Sequence, residues 1–401
     1  MMLNEKIRED FPILQKYKDL IYFDNACTTL KPKQVIDAEM KYYTEYGGCA
    51  GRSAHRLSKL VSEKVEDGRA KIASFVGAKP ENVVYTKNCS EALNLVAKTF
   101  DFSKRKKVVG TILEHHSSML PFEVMALEKK VELVHAKPMP DGTFDASQYG
   151  ELIDRNTALV AVHHTNNTLG TKNPVAEIAK IAHDNGAQII VDAAQGVPHS
   201  EIDFKKMDAD YLTFSGHKML GPTGIGALVA KYEHLERMPP FLVGGDTIEQ
   251  VKTDSIVWAK PPRKFEAGIQ HYAGIIGLGE AAEYLKRVGL RNIEQHEREL
   301  AKIAMDGLSS VQNLKIYGPK EIEKRTGIFT FNIRNVAPHQ VAIMLDKMKG
   351  IAVRSGVFCA QPGMEHIGAC DGAVRASFYL YNTKKEVEVF VQEVKKIVEL
   401  S

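Results

Sequence analysis

Cysteine is scarce in this sequence, with five residues in a chain of 401. The positions are Cys27, Cys49, Cys89, Cys359 and Cys370, and no C-x-x-C pair occurs among them. An odd number of widely spaced cysteines argues against a disulfide framework and against a zinc ribbon. We therefore expect a reduced protein of the cytoplasm.

An excess of one charge and long apolar runs are also absent. The net charge is only +3 and no basic block stands out, which gives little support to a nucleic acid or a membrane surface as partner. The longest apolar runs, near residues 158–162 and 189–191, are far too short to span a bilayer. The first residues, MMLNEKIREDFP, lack the apolar region of a secretory signal.

Short apolar runs and amphipathic helices alternate from about residue 80. The predicted strands cover residues 82–86, 107–113, 131–136, 158–164 and 187–195, followed by two more on either side of Lys218. Continuous β-branched runs separated by helices are typical of a mostly parallel sheet that is covered on both faces. The pattern therefore predicts an α/β fold.

The character of the chain changes after Ala273. A long helical stretch, broken near Gly289, leads to several strands and a final amphipathic helix over residues 383–399. A chain of this length favours two domains. We predict a large α/β domain over residues 21–284 and a smaller α+β domain formed by residues 1–20 and 285–401.

Polar side chains collect where the predicted strands end. They are Glu114, His115 and His116; His163, His164, Asn166 and Asn167; Asp192 and Gln195; and Ser215, His217 and Lys218. Ligands of open α/β sheets bind beyond the carboxyl ends of the strands. Polar residues are common at strand ends, but their convergence at one edge indicates a binding site.

Lys218 lies in a glycine-rich bend between two apolar strands. Burial lowers the pKa of a lysine, and a desolvated amine can form a Schiff base at neutral pH. Asp192 follows another buried strand and needs a cationic partner, which a protonated pyridine nitrogen would provide. Cys89 and Ser90 begin a helix whose N–H groups favour a phosphate, although Ser90 could equally serve as a simple helix cap.

The residues give less support to a metal site and to a dinucleotide-binding site. The pairs His115-His116 and His163-His164 would point to opposite faces of a strand, so neither pair chelates a metal as a unit. One histidine stacked on a planar cofactor is the better interpretation. The glycines 221, 224 and 226 do not match G-x-G-x-x-G and precede a strand, which argues against a dinucleotide site.

Six segments together resemble a known family. They are SGHKMLGPTGIGAL, VDAAQ, LEHHSSMLPF, NTLGTKNP, KFEAGIQ and VRSGVFCAQP. The sequence is similar to the pyridoxal-phosphate-dependent cysteine desulfurases, in the Suf-type (group II) branch of the class V aminotransferase family. The similarity runs from Ile21 to Thr383 and implies the fold of type I pyridoxal-phosphate-dependent transferases.

The resemblance implies a role for each matching residue. Lys218 would hold the cofactor, pyridoxal 5′-phosphate, and move protons, and Cys359 would be the nucleophile that carries sulfur as a persulfide. The other cofactor contacts would be His116 stacked on the ring, Asp192 at the ring nitrogen, Gln195 at the phenolic oxygen, and Cys89, Ser90, Ser215 and His217 at the phosphate. Substrate would be held by Asn167 and Arg375 at its carboxylate, with Arg354 nearby. No metal ion is implied.

The implied activity converts L-cysteine to L-alanine in a homodimer, with the sulfur passed to an acceptor or scaffold protein for iron–sulfur cluster assembly. The chain departs from its relatives at three places. Val357 and Phe358 stand where many relatives carry two histidines, Cys89-Ser90 replaces a Thr-Thr pair, and Ile269 replaces a threonine that reaches the partner's phosphate.

Two alternatives to a desulfurase stay open. The first is a class V enzyme without persulfide chemistry, such as a selenocysteine lyase, a kynureninase-like hydrolase or an epimerase, and Val357 and Phe358 motivate it. The second is a binding protein that has kept the fold and lost the cofactor. The presence of both Lys218 and Asp192 argues against the second alternative.

Overall fold

The computed structural model describes residue 3, residues 5–51 and residues 53–401. Its strands are β1 Ile21–Tyr22, β2 Val83–Thr86, β3 Lys107–Thr111, β4 Glu132–Ala136, β5 Thr157–His163, β6 Gln188–Asp192, β7 Tyr211–Ser215, β8 Gly226–Ala230, β9 Ile248–Val251, β10 Ile256–Trp258, β11 Leu314–Tyr317, β12 Ile328–Ile333, β13 Ile351–Ala352, β14 Arg354–Gly356 and β15 Ala373–Ser377. Its α-helices are α1 Pro12–Lys16, α2 Lys33–Lys41, α3 Arg56–Phe75, α4 Cys89–Thr99, α5 His116–Leu127, α6 Ala146–Gly150, α7 Val175–Asp184, α8 Phe204–Met207, α9 Tyr232–Arg237, α10 Tyr272–Val288, α11 Leu290–Leu308, α12 Pro338–Lys349, α13 Gln361–His366 and α14 Lys384–Glu399. Within the described part of the chain, no helix is long and apolar enough to cross a membrane.

A seven-stranded sheet forms the centre of the molecule, in the order β2-β8-β7-β6-β5-β3-β4. The pairs from β4 to β7 are parallel, and β8 and β2 add antiparallel strands at one edge. Every residue of β5, β7 and β8 is buried, because helices cover both faces of the sheet. The predicted α/β fold with a mostly parallel sheet is confirmed.

The register of the parallel strands aligns their carboxyl ends. His163 at the end of β5 is the partner of Asp192 at the end of β6, and Asp192 is the partner of Thr213 in β7. The residues that follow these strands therefore emerge at one edge of the sheet. This alignment produces the convergence of polar side chains that the sequence indicates.

Gly226 allows the start of helix α4 to approach strand β8. A Cβ atom at this position would lie 2.8 Å from Asn88 Cα and 2.6 Å from Phe214 O, both on backbone. Any larger residue would push the helix away from the strand. The contact brings the N-terminus of α4 to the same edge as the strand ends.

The C-terminal part of the chain contains a second, antiparallel sheet in the order β11-β12-β15-β14. Helices α11, α12 and α14 pack on it around a core that includes Phe331 and Phe390. The N-terminal segment contacts this part, since β1 pairs with β13 and Arg8 Nη1 lies 2.8 Å from Glu386 Oε1. The predicted break at Gly289 is confirmed, with φ of +88° between α10 and α11.

The proposed division between residues 284 and 285 stays a prediction. Helix α10 runs without interruption across these residues and ends at Val288. The two sheets are therefore joined by a helix that packs on the larger one, where it contacts α2 and α3.

A buried ion pair connects α3 to strand β2. Arg69 Nη1 and Nη2 donate to the two carboxylate oxygens of Glu266 at 2.8 and 2.9 Å. Arg69 also donates to Val83 O, and Tyr85 N donates to Glu266 Oε1. Both charged side chains are almost fully buried. Removal of Glu266 would leave the buried Arg69 charge with only the exposed carboxylate of Glu66, 3.4 Å from its Nε, as a partner.

We therefore expect Glu266→Ala to lower the free energy of unfolding by about 3–5 kcal/mol, the usual cost of an uncompensated buried charge. Urea denaturation followed by circular dichroism measures this change. Glu63→Ala is the matched control, because Glu63 pairs with Lys59 in full solvent at 4.0 Å, and we expect it to cost less than about 1 kcal/mol. Equal effects of the two substitutions would contradict the role given to the buried pair.

Candidate active site

A cavity of about 240 Å³ lies at the carboxyl edge of the large sheet, and its wall is completed by residues of β14, β15 and the loop after β14. Most residues that the sequence predicts for the site line this cavity. They are Cys89, Ser90, Asn167, Asp192, Gln195, Ser215, His217, Lys218, Arg354, Cys359 and Arg375. His116 does not line it. The strand ends of the large sheet and the edge of the small sheet thus meet around one space.

Lys218 ends a short 3-10 turn that follows β7, and its half-buried side chain lines the cavity. Burial lowers the pKa of the Lys218 amine, while the carboxylate of Asp192 acts in the opposite direction. Asp192 accepts a hydrogen bond from Ala194 N at 2.9 Å, which holds its carboxyl group in place. The two residues give the cavity an amine of lowered pKa beside a fixed carboxyl group.

The N-terminus of α4 contributes Cys89 and Ser90. Cys89 N donates to Ser215 Oγ at 2.9 Å, which ties the helix to the end of β7. The Cys89 thiol donates to Asp192 Oδ1 at 3.4 Å, and burial raises its pKa well above the usual value. Cys89 is therefore a neutral hydrogen-bond donor within the site. Ser90 Oγ lies 2.6 Å from Ser117 Oγ.

His217 lies between Gly216 and Lys218 in the turn that carries the lysine. Burial, with help from the charges of Lys218 and Lys31, lowers the pKa of His217 to about 4. Its imidazole is therefore neutral at physiological pH and can donate one hydrogen bond to an anion without adding charge. Its carbonyl accepts from Thr29 N and Lys31 Nζ, which holds the turn in place.

Ring stacking by His116 stays a prediction, but the structure places its neighbour His115 in the cavity wall. His115, not His116, lines the cavity, and burial together with the charge of Lys218 lowers the pKa of His115 to about 4. His116 begins helix α5, so its side chain leaves in a different direction. Its Nε2 accepts a hydrogen bond from Gln361 N at 3.2 Å, and its own N–H donates to Cys359 O at 2.7 Å.

Two arginines and an amide form the end of the cavity nearest the small sheet. Arg375 is buried, donates from Nη1 to Asn167 O at 2.7 Å, and lies 3.6 Å from Asp24 Oδ1 through Nη2. Burial lowers the pKa of Arg375 to about 10, so it stays charged at neutral pH. Arg354 Nη1 donates to Cys27 Sγ at 3.2 Å. This end can bind a carboxylate.

Cys359 lies on the loop between β14 and α13 and is exposed to solvent. Phe358 and Cys359 both adopt positive φ, at +52° and +56°, a conformation that non-glycine residues rarely take. The loop is held by Asn167 Nδ2, which donates to Phe358 O at 2.9 Å, and by the stacking of Arg375 on the Phe358 ring at 4.9 Å. The thiol is thus presented at the mouth of the cavity.

Residues His115, Cys27 and His163 line the cavity although the sequence assigned none of them a specific role there. His115 and His163 were noticed in the sequence, but the order of two adjacent histidines gives no indication of which one faces a ligand. Cys27 belongs to the segment IYFDNACTTL, far from the other site residues along the chain. The pairing of β1 with β13 and the bond from Ala26 N to Ser377 Oγ bring it to the site.

The donor set fits pyridoxal 5′-phosphate. Gln195 is buried, its Nε2 donates to Ala26 O at 2.7 Å, and its Oε1 has no partner among the described residues. The amide of Gln195 matches the phenolic oxygen of the cofactor. The amine of Lys218, with its lowered pKa, matches the aldehyde, and the carboxyl group of Asp192 matches the pyridine nitrogen. The Ser90 hydroxyl and the backbone N–H groups at the start of α4 match a phosphate.

Comparisons with known proteins agree with this chemistry. The sequence pattern of the family described as Aminotransferase class-V matches residues 21–390. A probable cysteine desulfurase of Halalkalibacterium halodurans is 41% identical over 401 residues, covering 98% of each chain.

Two solved structures extend the similarity to three dimensions. The apo cysteine desulfurase of Thermococcus onnurineus has a TM-score of 0.95 and 41% identity, covering 100% of this chain and 99% of that one. The cysteine desulfurase CsdA (S-sulfonic acid) of Escherichia coli has a TM-score of 0.92 and 31% identity, covering 100% of both chains. This chain therefore belongs to the class-V aminotransferase family, among its cysteine desulfurases, and its cofactor is pyridoxal 5′-phosphate.

Proposed function

We propose that this enzyme converts L-cysteine to L-alanine, holds the sulfur as a persulfide on Cys359, and passes it to an acceptor protein for iron–sulfur cluster assembly. The observation that carries the proposal is that Lys218 and Cys359 line the same cavity. A lysine of lowered pKa handles protons at the substrate carbon, and an exposed thiol takes the sulfur. Few cysteines, none of them paired in a disulfide, support a cytoplasmic location.

The cofactor, when bound, supplies an electron sink for the charge that develops beside the substrate amino group. We propose that Asp192 holds the ring nitrogen protonated, that Gln195 contacts the phenolic oxygen, and that Ser90, Ser215, His217 and the N-terminus of α4 bind the phosphate. The geometry favours His115 for the stacking role once given to His116. The backbone N–H of Cys89 lies at the phosphate end of the site, where it donates to Ser215 Oγ. The thiol of Cys89 donates to Asp192.

We propose that Asn167, Arg354 and Arg375 bind the substrate carboxylate, with Arg375 as the buried charge. Lys218 then removes the proton from the substrate Cα and returns one later. The Cys359 thiolate attacks the substrate sulfur, so that an S–S bond forms as the C–S bond breaks. The substrate Cβ gains a proton, which gives L-alanine and one persulfide per L-cysteine consumed. Atoms and electrons balance without an external oxidant.

We propose that the enzyme acts as a homodimer. Several large aliphatic side chains between residues 242 and 269 are exposed in the single chain. They are Leu242, Val243, Val251, Ile256, Val257 and Ile269. An exposed apolar surface of this kind is typical of an interface between copies. Ile269 would then contribute an apolar contact and no phosphate contact.

Cys359→Ala is the direct test of the persulfide step. The assay contains a dithiol, which reduces the persulfide and releases its outer sulfur as sulfide. We expect the variant to form alanine and sulfide from L-cysteine at least roughly 100-fold more slowly, because the sulfur then has no protein nucleophile. Cys370→Ala is the matched control, since Cys370 is also exposed, and it should keep the wild-type rate. Undiminished release from Cys359→Ala, or alanine formed by the wild type only from another amino acid, would favour a class V enzyme without persulfide chemistry.

Lys218→Ala tests the attachment of the cofactor. We expect wild-type protein treated with borohydride to gain the mass of the reduced cofactor, and the variant to gain none, because only a buried amine of lowered pKa reacts readily at neutral pH. Lys264→Met is the control, since Lys264 is also buried with a lowered pKa but donates to Glu236 O outside the cavity. If the Lys218→Ala variant also gained the mass of the reduced cofactor, the cofactor would be attached to another residue.

The oligomeric state is measured by light scattering after size-exclusion chromatography. We expect a mass of twice 44.6 kDa for the wild type. The double variant Val257→Glu, Ile269→Glu should shift toward the single-chain mass, because burying two carboxylates in an apolar interface is unfavourable. Leu127→Glu is the control, since Leu127 is exposed on a different surface. A monomeric wild type would refute the proposal.

A further inference from the structure

Arg354 and Arg375 face each other across two antiparallel strands. They are direct partners in the pairing of β14 with β15, so their side chains share one face of the small sheet. Like charges directly opposite each other on a sheet are destabilising. Each guanidinium therefore needs a partner to stay at the end of the cavity.

One turn provides both partners. It follows β1, and the N–H of Cys27 donates to Asp24 O at 3.1 Å, which closes it. Asp24 Oδ1 lies 3.6 Å from Arg375 Nη2, and Cys27 Sγ accepts from Arg354 Nη1 at 3.2 Å. The turn is anchored to the small sheet, because Ala26 N donates to Ser377 Oγ at 2.8 Å.

The partners differ in chemistry, and the difference matters for the ligand. Asp24 supplies a carboxyl group to Arg375, whereas Cys27 supplies a single sulfur acceptor to Arg354. Two guanidiniums therefore face one carboxyl group at this end of the cavity. Arg375 Nε is also buried and has no partner among the described residues. This combination suits a carboxylate that arrives with the substrate.

We propose that Cys27 is a positioning residue that holds the Arg354 guanidinium at the cavity for the carboxylate of an amino-acid substrate. The identity of that substrate rests on the proposed function. Without a side-chain acceptor at residue 27, repulsion from Arg375 turns Arg354 away. A carboxylate at residue 27 would cancel the charge that the substrate needs.

We expect Cys27→Ala to raise KM for L-cysteine about tenfold, as the loss of one held charge contact would, with kcat nearly unchanged. Cys27→Ser should stay close to the wild type, because a hydroxyl oxygen also accepts from a guanidinium. Cys49→Ala is the matched control, since Cys49 is also half-buried but its thiol lies near Tyr272 Oη at 3.9 Å. An unchanged KM in Cys27→Ala, or a serine variant as weak as the alanine variant, would overturn the proposal.

A double-mutant cycle shows whether Cys27 acts through Arg354. The double variant Cys27→Ala, Arg354→Ala should bind no more weakly than Arg354→Ala alone, and additive losses would overturn the proposal. The cycle is measured by binding of L-alanine to the cofactor-loaded protein, read from cofactor absorbance. A wild type that binds L-alanine but does not consume L-cysteine would refute the proposed function. The double-mutant cycle would still test the role of Cys27, because it measures binding and not turnover.

Discussion

The burial of an amine beside a carboxylate is the constraint on which the rest of the site depends. Lys218 and Asp192 occupy one enclosed space, and burial lowers the pKa of the lysine. Such a pair is costly unless a ligand uses it, because both charges lose water. The parallel strands β6 and β7 hold the two residues at adjacent strand ends. The cofactor thus meets a site whose charges are already in position.

In the proposed mechanism the large sheet supplies the residues that contact the cofactor, and the small sheet supplies the arginines that bind the substrate carboxylate. Arg354 and Arg375 lie on β14 and β15, and the loop that follows β14 presents Cys359. Asn167 joins the two parts, since it contacts both Arg375 and Phe358 through hydrogen bonds. A movement of one sheet relative to the other would therefore change substrate binding and the position of the thiol together.

Much of this arrangement follows from patterns in the sequence. Apolar runs separated by amphipathic helices predicted the parallel sheet, and Lys218 and Asp192 were recognised as site residues from their position after buried strands. The histidine pair was different. Both His115 and His116 follow Leu113, and only the start of α5 at residue 116 decides that His115 faces the cavity while His116 contacts Gln361.

The sequence by itself determined the fold class through local periodicity, and it determined the cofactor through motifs shared with a known family. The roles of Lys218 and Cys359 follow from the same motifs and stay predictions. The tertiary structure decided which distant residues meet. Cys27 reaches Arg354 because β1 pairs with β13 and Ala26 N donates to Ser377 Oγ, and the two arginines oppose each other through the register of β14 and β15. Contacts between residues hundreds of positions apart leave no periodic trace in the sequence, so the opposed arginines and their contacts with Asp24 and Cys27 are visible only in the folded chain.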